Sequence, residues 1–264
     1  MTLSRFRDHS TPAGLLLACL LALPACNRPP ARPVTIAAAA DLQFAMEDVL
    51  REFRRSHPAA AIRADYGSSG NFYSQIRNQA PFDLFLSADV QYPRRLLSEG
   101  LAVPDSLFAY ATGRIVIWAP DASPIDIARL GWAALDDPAV RHIAIANPEH
   151  APYGRAAVAA MKSAGIYDRV APKFVLGENI AQTFQFVQSG AADIGIVALS
   201  LALAPSVHGK YWEVPPASSP AIQQAGVILS RAKDSRTARD LRDFLVSPPG
   251  RAILKRYGFS PPEN

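Results

Sequence analysis

Short apolar runs alternating with amphipathic helical stretches constrain this chain more than any other feature. Val34 to Ala40 reads as a buried strand. Asp41 to Ser56 follows as a helix, with Leu42, Ala45, Met46, Val49, Leu50 and Phe53 at helical spacing and Asp41 placed as its N-cap. Ala61 to Tyr66 is a second strand, followed by a Gly-Ser-Ser-Gly-Asn turn and a helix, Asn71 to Asn78, carrying Phe72 and Ile76. Phe82 to Leu86 is a third strand, and a helix from Tyr92 to Glu99 closes at Gly100. This order predicts an α/β fold with a parallel, doubly wound sheet. A second unit repeats the logic. Strands are expected at Arg114–Ala119, Arg141–Ala146, Lys173–Leu176 and Asp193–Leu199, and helices at Pro124–Leu135, Tyr153–Ala164 and Glu178–Ser189. Gly226 to Ser230 is apolar again, and two C-terminal helices carry Leu241, Phe244 and Leu245, then Ile253 and Tyr257. The break near Ala111 to Arg114 has no Gly/Ser spacer, so it reads as a tight crossing between halves. No internal sequence repeat is visible.

The N-terminus reads as an export signal. Arg5 and Arg7 form a basic region, and Ala13 to Ala22 is an uncharged apolar run too short to span a bilayer. Leu23-Pro-Ala-Cys26 resembles a bacterial lipobox, which gives a signal peptide over 1–25, lipidation of Cys26 and a Pro/Arg-rich tether over 26–33. Pro24 is uncommon in such a box, so a plain secretory signal stays open. With Cys19 removed and Cys26 acylated, the mature body holds no thiol and depends on its core alone. Roughly 235 residues suffice, since a chain of that length buries about 70–75% of its unfolded surface. The formal charge is +4; the signal holds Arg5, Arg7 and Asp8, so +3 remains. The basic residues are scattered. Arg54-Arg55 and Arg94-Arg95 lie on solvated helix faces, which excludes a nucleic-acid stripe.

Ligands of parallel α/β sheets bind beyond the carboxyl ends of strands, at helix N-termini. Four such loops stand out: Ala40-Asp41, Ser68-Ser69, Asn147 to Gly154, and Leu176 to Ile180. Two belong to each half. Alone, Gly67-Ser-Ser-Gly70 is ordinary turn chemistry. As second of four strand-to-helix loops it becomes an anion cradle, its N–H groups and hydroxyls acting without any Lys or Arg.

Several stretches carry a resemblance, in order along nearly the whole mature chain. They are Ala37-Ala-Ala-Ala-Asp-Leu42 with Ala45-Met46, Ser68-Ser69, and Pro81-Phe-Asp-Leu-Phe-Leu-Ser-Ala-Asp89. Asn147-Pro-Glu-His-Ala-Pro152, Gly195-Ile-Val197 and Lys255-Arg-Tyr-Gly-Phe259 complete the set. The chain resembles the periplasmic molybdate-binding proteins, substrate-binding components of ABC importers. The resemblance implies a two-lobed type II periplasmic-binding-protein fold, each lobe a mostly parallel sheet flanked by helices, with the ligand cleft between lobes. Residues 34–112 with about 222–264 would form lobe 1, and about 113–221 lobe 2. It implies a monomeric periplasmic protein, tethered through Cys26, with no enzymatic activity and no cofactor. Its ligand would be molybdate or tungstate and its partner an ABC membrane permease.

Oxyanion contacts are expected at Asp41, Ser68, Ser69, Tyr153, Asn179 and Ile180, of which the resemblance places Asp41, Ser69, Tyr153 and Ile180 residue by residue. Molybdenum would be met only through the oxygens of the anion, by Asp41, Ser69, Tyr153 and Ile180. Ser69 matches the second-loop serine of the family, and Ile180 and Tyr153 supply backbone N–H groups. Asp41 stands where the family has a serine, and Ala198 where it has a tyrosine. A carboxylate about 4 Å from an oxyanion costs several kcal/mol at an effective dielectric of about 20. Asp41 can turn away as an N-cap, can be protonated and donate, or can select a different anion or small organic ligand; the sequence favours the cap. The Tyr153 hydroxyl, in a facing loop, would restore the one missing at Ala198.

His57, His142, His150 and His208 lack metal-ligand spacing, and His150 is expected to fix its loop. Trp118, Trp132 and Trp212 read as core, and Asp83 and Asp89 as turn-fixing residues at the hinge. A lipid-anchored hydrolase is the rival of another class, and no nucleophile–base pair supports it.

Overall fold

The structure, a computed structural model, describes residues 32–262. The signal segment, Cys26 and the tether up to residue 31 lie outside them. In chain order the elements are β1 (Val34–Ala39), α1 (Gln43–Ser56), β2 (Ile62–Gly67), α2 (Ser69–Arg77), β3 (Leu84–Ser87), α3 (Gln91–Ser98), β4 (Phe108–Gly113) and β5 (Ile115–Pro120). There follow α4 (Ile127–Leu130), β6 (Ile143–Ala146), α5 (Pro152–Ser163), α6 (Tyr167–Val170), β7 (Phe174–Gly177), α7 (Ile180–Gln188), β8 (Ile194–Ala198) and α8 (Leu199–Ala202). The chain ends with β9 (Gly209–Glu213), β10 (Ile222–Ile228), α9 (Arg236–Val246) and α10 (Pro248–Arg256). Among the described residues no helix is long and apolar enough to cross a membrane.

The strands form two five-stranded sheets, ordered β2-β1-β3-β10-β4 and β7-β6-β8-β5-β9. In the first, β1 runs parallel to β2 and β3, while β10 is antiparallel to β3 and β4. In the second, β6 runs parallel to β7 and β8, while β5 is antiparallel to β8 and β9. Strand–helix alternation builds the parallel half of each sheet. The antiparallel half comes from strands at the two places where the chain changes sheet. Only Arg114 separates β4 from β5, and Val214 to Ala221 separate β9 from β10. The Arg114 guanidinium pairs with Glu213, and the Val214 N–H donates to Ile115 O at 3.2 Å, so the crossings are tied together.

Side-chain alternation divides the first sheet's core. Ile36, Ala38, Leu84 and Leu86 face α1, α9 and α10, where Met46, Val49, Phe53, Leu241, Leu245 and Ile253 are buried. Ala37 and Phe85 face α2 and α3, with Phe72, Ile76 and Leu96. A third cluster surrounds the second sheet, with Ala157 and Met161 of α5 and Phe184 and Val187 of α7. Trp118 is fully buried there, whereas Trp132 and Trp212 pack edge to face at the margin.

Three expectations change. β4 and β9 are additional strands. The stretch expected as one helix over Pro124–Leu135 splits into α4 and a tighter 3₁₀ segment, Gly131–Asp136. Asp83 lies at the end of β3 away from the crossings. Wholly buried, it accepts the Thr35 N–H at 2.8 Å and pairs with Arg32 at 2.7 Å and Arg231 at 3.4 Å, so it pins strand starts instead of a hinge.

Candidate functional site: a cleft of helix N-termini

Four chain segments that follow β1, β2, β6 and β7 meet around one small cavity of about 10 Å³. It is lined by backbone and side chains that include Asp41, Ser68, Ser69, Tyr153 and Ile180, and by no Lys, Arg or His. Three of the flanking helices, α2, α5 and α7, begin with an N–H left over on a residue that lines this space. In α2, Ser68 caps through its hydroxyl, which accepts the Asn71 N–H at 3.3 Å, and its carbonyl takes the Phe72 N–H. The Gly70 N–H crosses the cleft to His150 O at 3.0 Å. The Ser69 N–H is left without a partner among the described residues. In α5, Pro152 has no N–H, and those of Gly154 and Arg155 both reach Ala151 O, leaving that of Tyr153. In α7, the Asn179 carboxamide takes the N–H groups of Ala181 and Gln182, each at 3.0 Å, and leaves that of Ile180. Unpaired N–H groups at helix starts carry the positive end of the helix dipole.

Ser69 adds a hydroxyl. Its Oγ accepts the Ala88 N–H at 2.9 Å, which fixes the oxygen and leaves its own proton to donate into the cavity. Asn179 caps α7 and does not line the cavity. His150 fixes its loop as expected, its Nε2 lying 2.9 Å from Glu178 O.

Asp41 does not cap α1. A 3₁₀ turn, Ala40–Leu42, precedes that helix, and Leu42 occupies the cap position without a side-chain hydrogen bond. The extra turn carries the carboxyl away from the α1 N–H groups and into the cleft. It is buried, with Oδ2 accepting from the Tyr153 hydroxyl at 2.7 Å and from Gln224 Nε2. Gln224 Nε2 also donates to the Tyr153 hydroxyl oxygen at 3.1 Å. Asp41 Oδ1 and Gln224 Oε1 are buried without partners among the described residues. Burial pushes the Asp41 carboxyl up to about 6, against the opposing pull of the Gln224 and Tyr153 hydrogen bonds. Burial, reinforced by the Asp41 charge, holds the Tyr153 phenol well above its ordinary value, so it stays a donor.

The Tyr153 proton is therefore committed to Asp41 and does not stand in for a hydroxyl at Ala198. Ala198 is buried at the start of α8, outside the cavity lining, and two residues on the Ser200 hydroxyl donates to Asp41 O at 2.7 Å. Gln224 and Ser200 were not anticipated from sequence. Gln224 is 183 positions from Asp41, and its one signal is a glutamine pair beside the apolar run of β10. Gly113 marks the same spot, because a Cβ there would run into the Tyr153 hydroxyl and Gln224.

The lobes touch across the cleft outside the cavity. Asn71 Nδ2 donates to Glu178 Oε1 at 2.9 Å, and Arg155 pairs with Asp89 at 2.7 Å while lying over the Tyr92 ring. Asp89 Oδ1 also accepts the Gln91 N–H, so it fixes a turn and bridges the lobes. Among the described residues no cluster of His, Cys, Asp and Glu could hold a metal ion.

Comparison with known proteins agrees with this geometry. The family described as bacterial extracellular solute-binding protein matches residues 34–260. Molybdate-binding protein ModA of Azotobacter vinelandii is 38% identical over 231 residues, 87% of this chain and 90% of its own length. ModA of Rhodobacter capsulatus is 38% identical over 194 residues, 74% of this chain and 75% of its own. The solved periplasmic molybdate-binding protein of Azotobacter vinelandii superposes with a TM-score of 0.80 at 30% identity, covering 87% of this chain and all of that one. This chain belongs to the bacterial extracellular solute-binding protein family.

Proposed function

We propose that this protein captures molybdate or tungstate outside the cytoplasm and delivers it to the membrane permease of an ABC importer. The observation that carries the reading is the convergence of unpaired N–H groups of Ser69, Tyr153 and Ile180, with the Ser69 hydroxyl, on one cavity without a basic residue. Neutral dipoles fixed by helices bind a desolvated tetrahedral anion and place no mobile counter-charge beside it. The names of the relatives point to the same ligand class. Residues 34–112 with 222–264, and 113–221, act as bodies that open and close about the two crossings, and the permease reads the closed form. The protein works as a monomer tethered through acylated Cys26.

A thermal-shift panel with molybdate, tungstate, sulfate, phosphate and small organic acids tests the ligand. A ligand at 100 times its Kd stabilises by about 2.7 kcal/mol, so molybdate or tungstate raises Tm by several degrees. No shift with either overturns the assignment, and a shift with sulfate alone moves it to another anion. Replacing Cys26 by alanine releases the protein from the membrane fraction if the tether is correct.

A further inference from the structure

Asp41 breaks the neutral-donor pattern of the cavity, and its surroundings assign it a task. Oδ2 is saturated by Tyr153 from α5 and Gln224 from β10, whereas Oδ1 is buried and unpartnered among the described residues. Asp41 lines the cavity that Ser69, Tyr153 and Ile180 also line. Ser200 of α8 reaches only its carbonyl oxygen, and the remaining titratable neighbour, Tyr110 of β4, donates its own hydroxyl proton to Ser87 O at 3.1 Å. None of these groups is cationic. An ionised Asp41 would face an anion as a like charge with no counter-ion and little water to screen it. A proton on Oδ1 removes the repulsion and gives the orphan atom a partner in the ligand.

We propose that anion capture here is coupled to one proton, shared between Asp41 Oδ1 and an oxygen of the bound oxyanion. Above the range in which the free carboxyl titrates, the proton is drawn from solvent as the anion enters. It returns to solvent when the anion leaves. Tyr153 and Gln224 act as positioning residues, holding Oδ2 so that the proton falls on the cavity side. The burial that raises the free carboxyl to about 6 sets where the coupling begins. This inference rests on the oxyanion reading above and adds a condition to it.

The test is calorimetric titration of the mature protein with molybdate, tungstate and sulfate from about pH 6 to about pH 8.5, in buffers of different ionisation enthalpy. For an anion whose own charge is constant over that range, affinity falls tenfold per pH unit above the Asp41 transition, roughly 50-fold between about pH 6 and about pH 8. Near pH 8, close to one proton is taken up per anion. Asp41→Asn puts an amide donor in place of Oδ1, so its affinity, whatever its value, is independent of pH. His150 at the cleft rim is present in both proteins, so it cannot produce a difference between them. Affinity in the native protein that is flat with pH, or no proton uptake, overturns the coupling and leaves the receptor reading standing. An Asp41→Asn variant with the native slope places the proton elsewhere and also overturns it. Failure of every anion to bind at every pH overturns both.

Discussion

The two lobes present equivalent pairs of loops to the cleft, yet the pairs behave differently. Ser69 follows the edge strand β2, and Ile180 follows the edge strand β7. Both act as simple donors at capped helix starts. Asp41 follows β1 and Tyr153 follows β6, the next strands inward. These two bond to each other through side chains and to Gln224 between them. In the proposed function the edge pair recognises anionic charge whatever its protonation, and the inner pair adds a buried acid that responds to pH. On that reading equivalent topology fixes where a ligand contact lies, and the side chain decides what that contact senses.

The largest expected effect comes from neutralising the inner pair. The Asp41 carboxyl is raised in the folded state, so its ionisation opposes folding. The penalty is absent below about pH 3.8 and complete above about pH 6. Asp41→Asn removes it, and the ligand-free protein gains up to about 3 kcal/mol at pH 8 for a shift of two units, and little near pH 4. Urea unfolding at the two pH values measures this, and an equal difference at both would mean that Asp41 does not titrate between them. Next comes the edge pair. Ser69→Ala removes a donor to a charged ligand and strands the Ala88 N–H. Affinity therefore falls about 10- to 100-fold, for a hydrogen bond to charge worth about 1.5–3 kcal/mol. Its pH dependence stays as in the native protein, which separates the two pairs.

Tyr153→Phe sharpens the comparison further. The lost phenol hydrogen bond favoured the charged carboxylate, so its removal moves the Asp41 transition up by about one pH unit, for a bond worth about 1 kcal/mol. Affinity at low pH changes less than the midpoint does. A large loss at low pH with no midpoint shift would make the phenol a direct ligand donor instead. The smallest effect belongs to Asn71→Ala, which removes an exposed contact to Glu178. It weakens the closed form by less than about 1 kcal/mol, read as a few-fold rise in Kd with no change in proton uptake.

Much of the fold was legible because its signals are local. Apolar runs such as Val34–Ala39 and Ile143–Ala146 and the stripe of α1 each act within a few residues of themselves. β9 was missed because Gly209–Glu213 is an edge strand with no fully buried residue, and β4 because Phe108–Gly113 runs into the crossing with no turn to mark its end. The Ser69 loop could be read from sequence, as a glycine-serine turn before a helix. The fate of Asp41 could not. Whether it caps a helix or enters the cleft depends on one extra 3₁₀ turn and on a glutamine 183 positions away. Local propensity favoured the cap, and tertiary hydrogen bonds overrode it.

The most direct test of the neutral-donor cradle is a calorimetric titration of the mature protein with molybdate at about pH 6. The account predicts one molybdate per chain, bound without a metal ion or cofactor. It also predicts that tungstate competes for the same site. No heat of binding, or binding that tungstate does not displace, would contradict it.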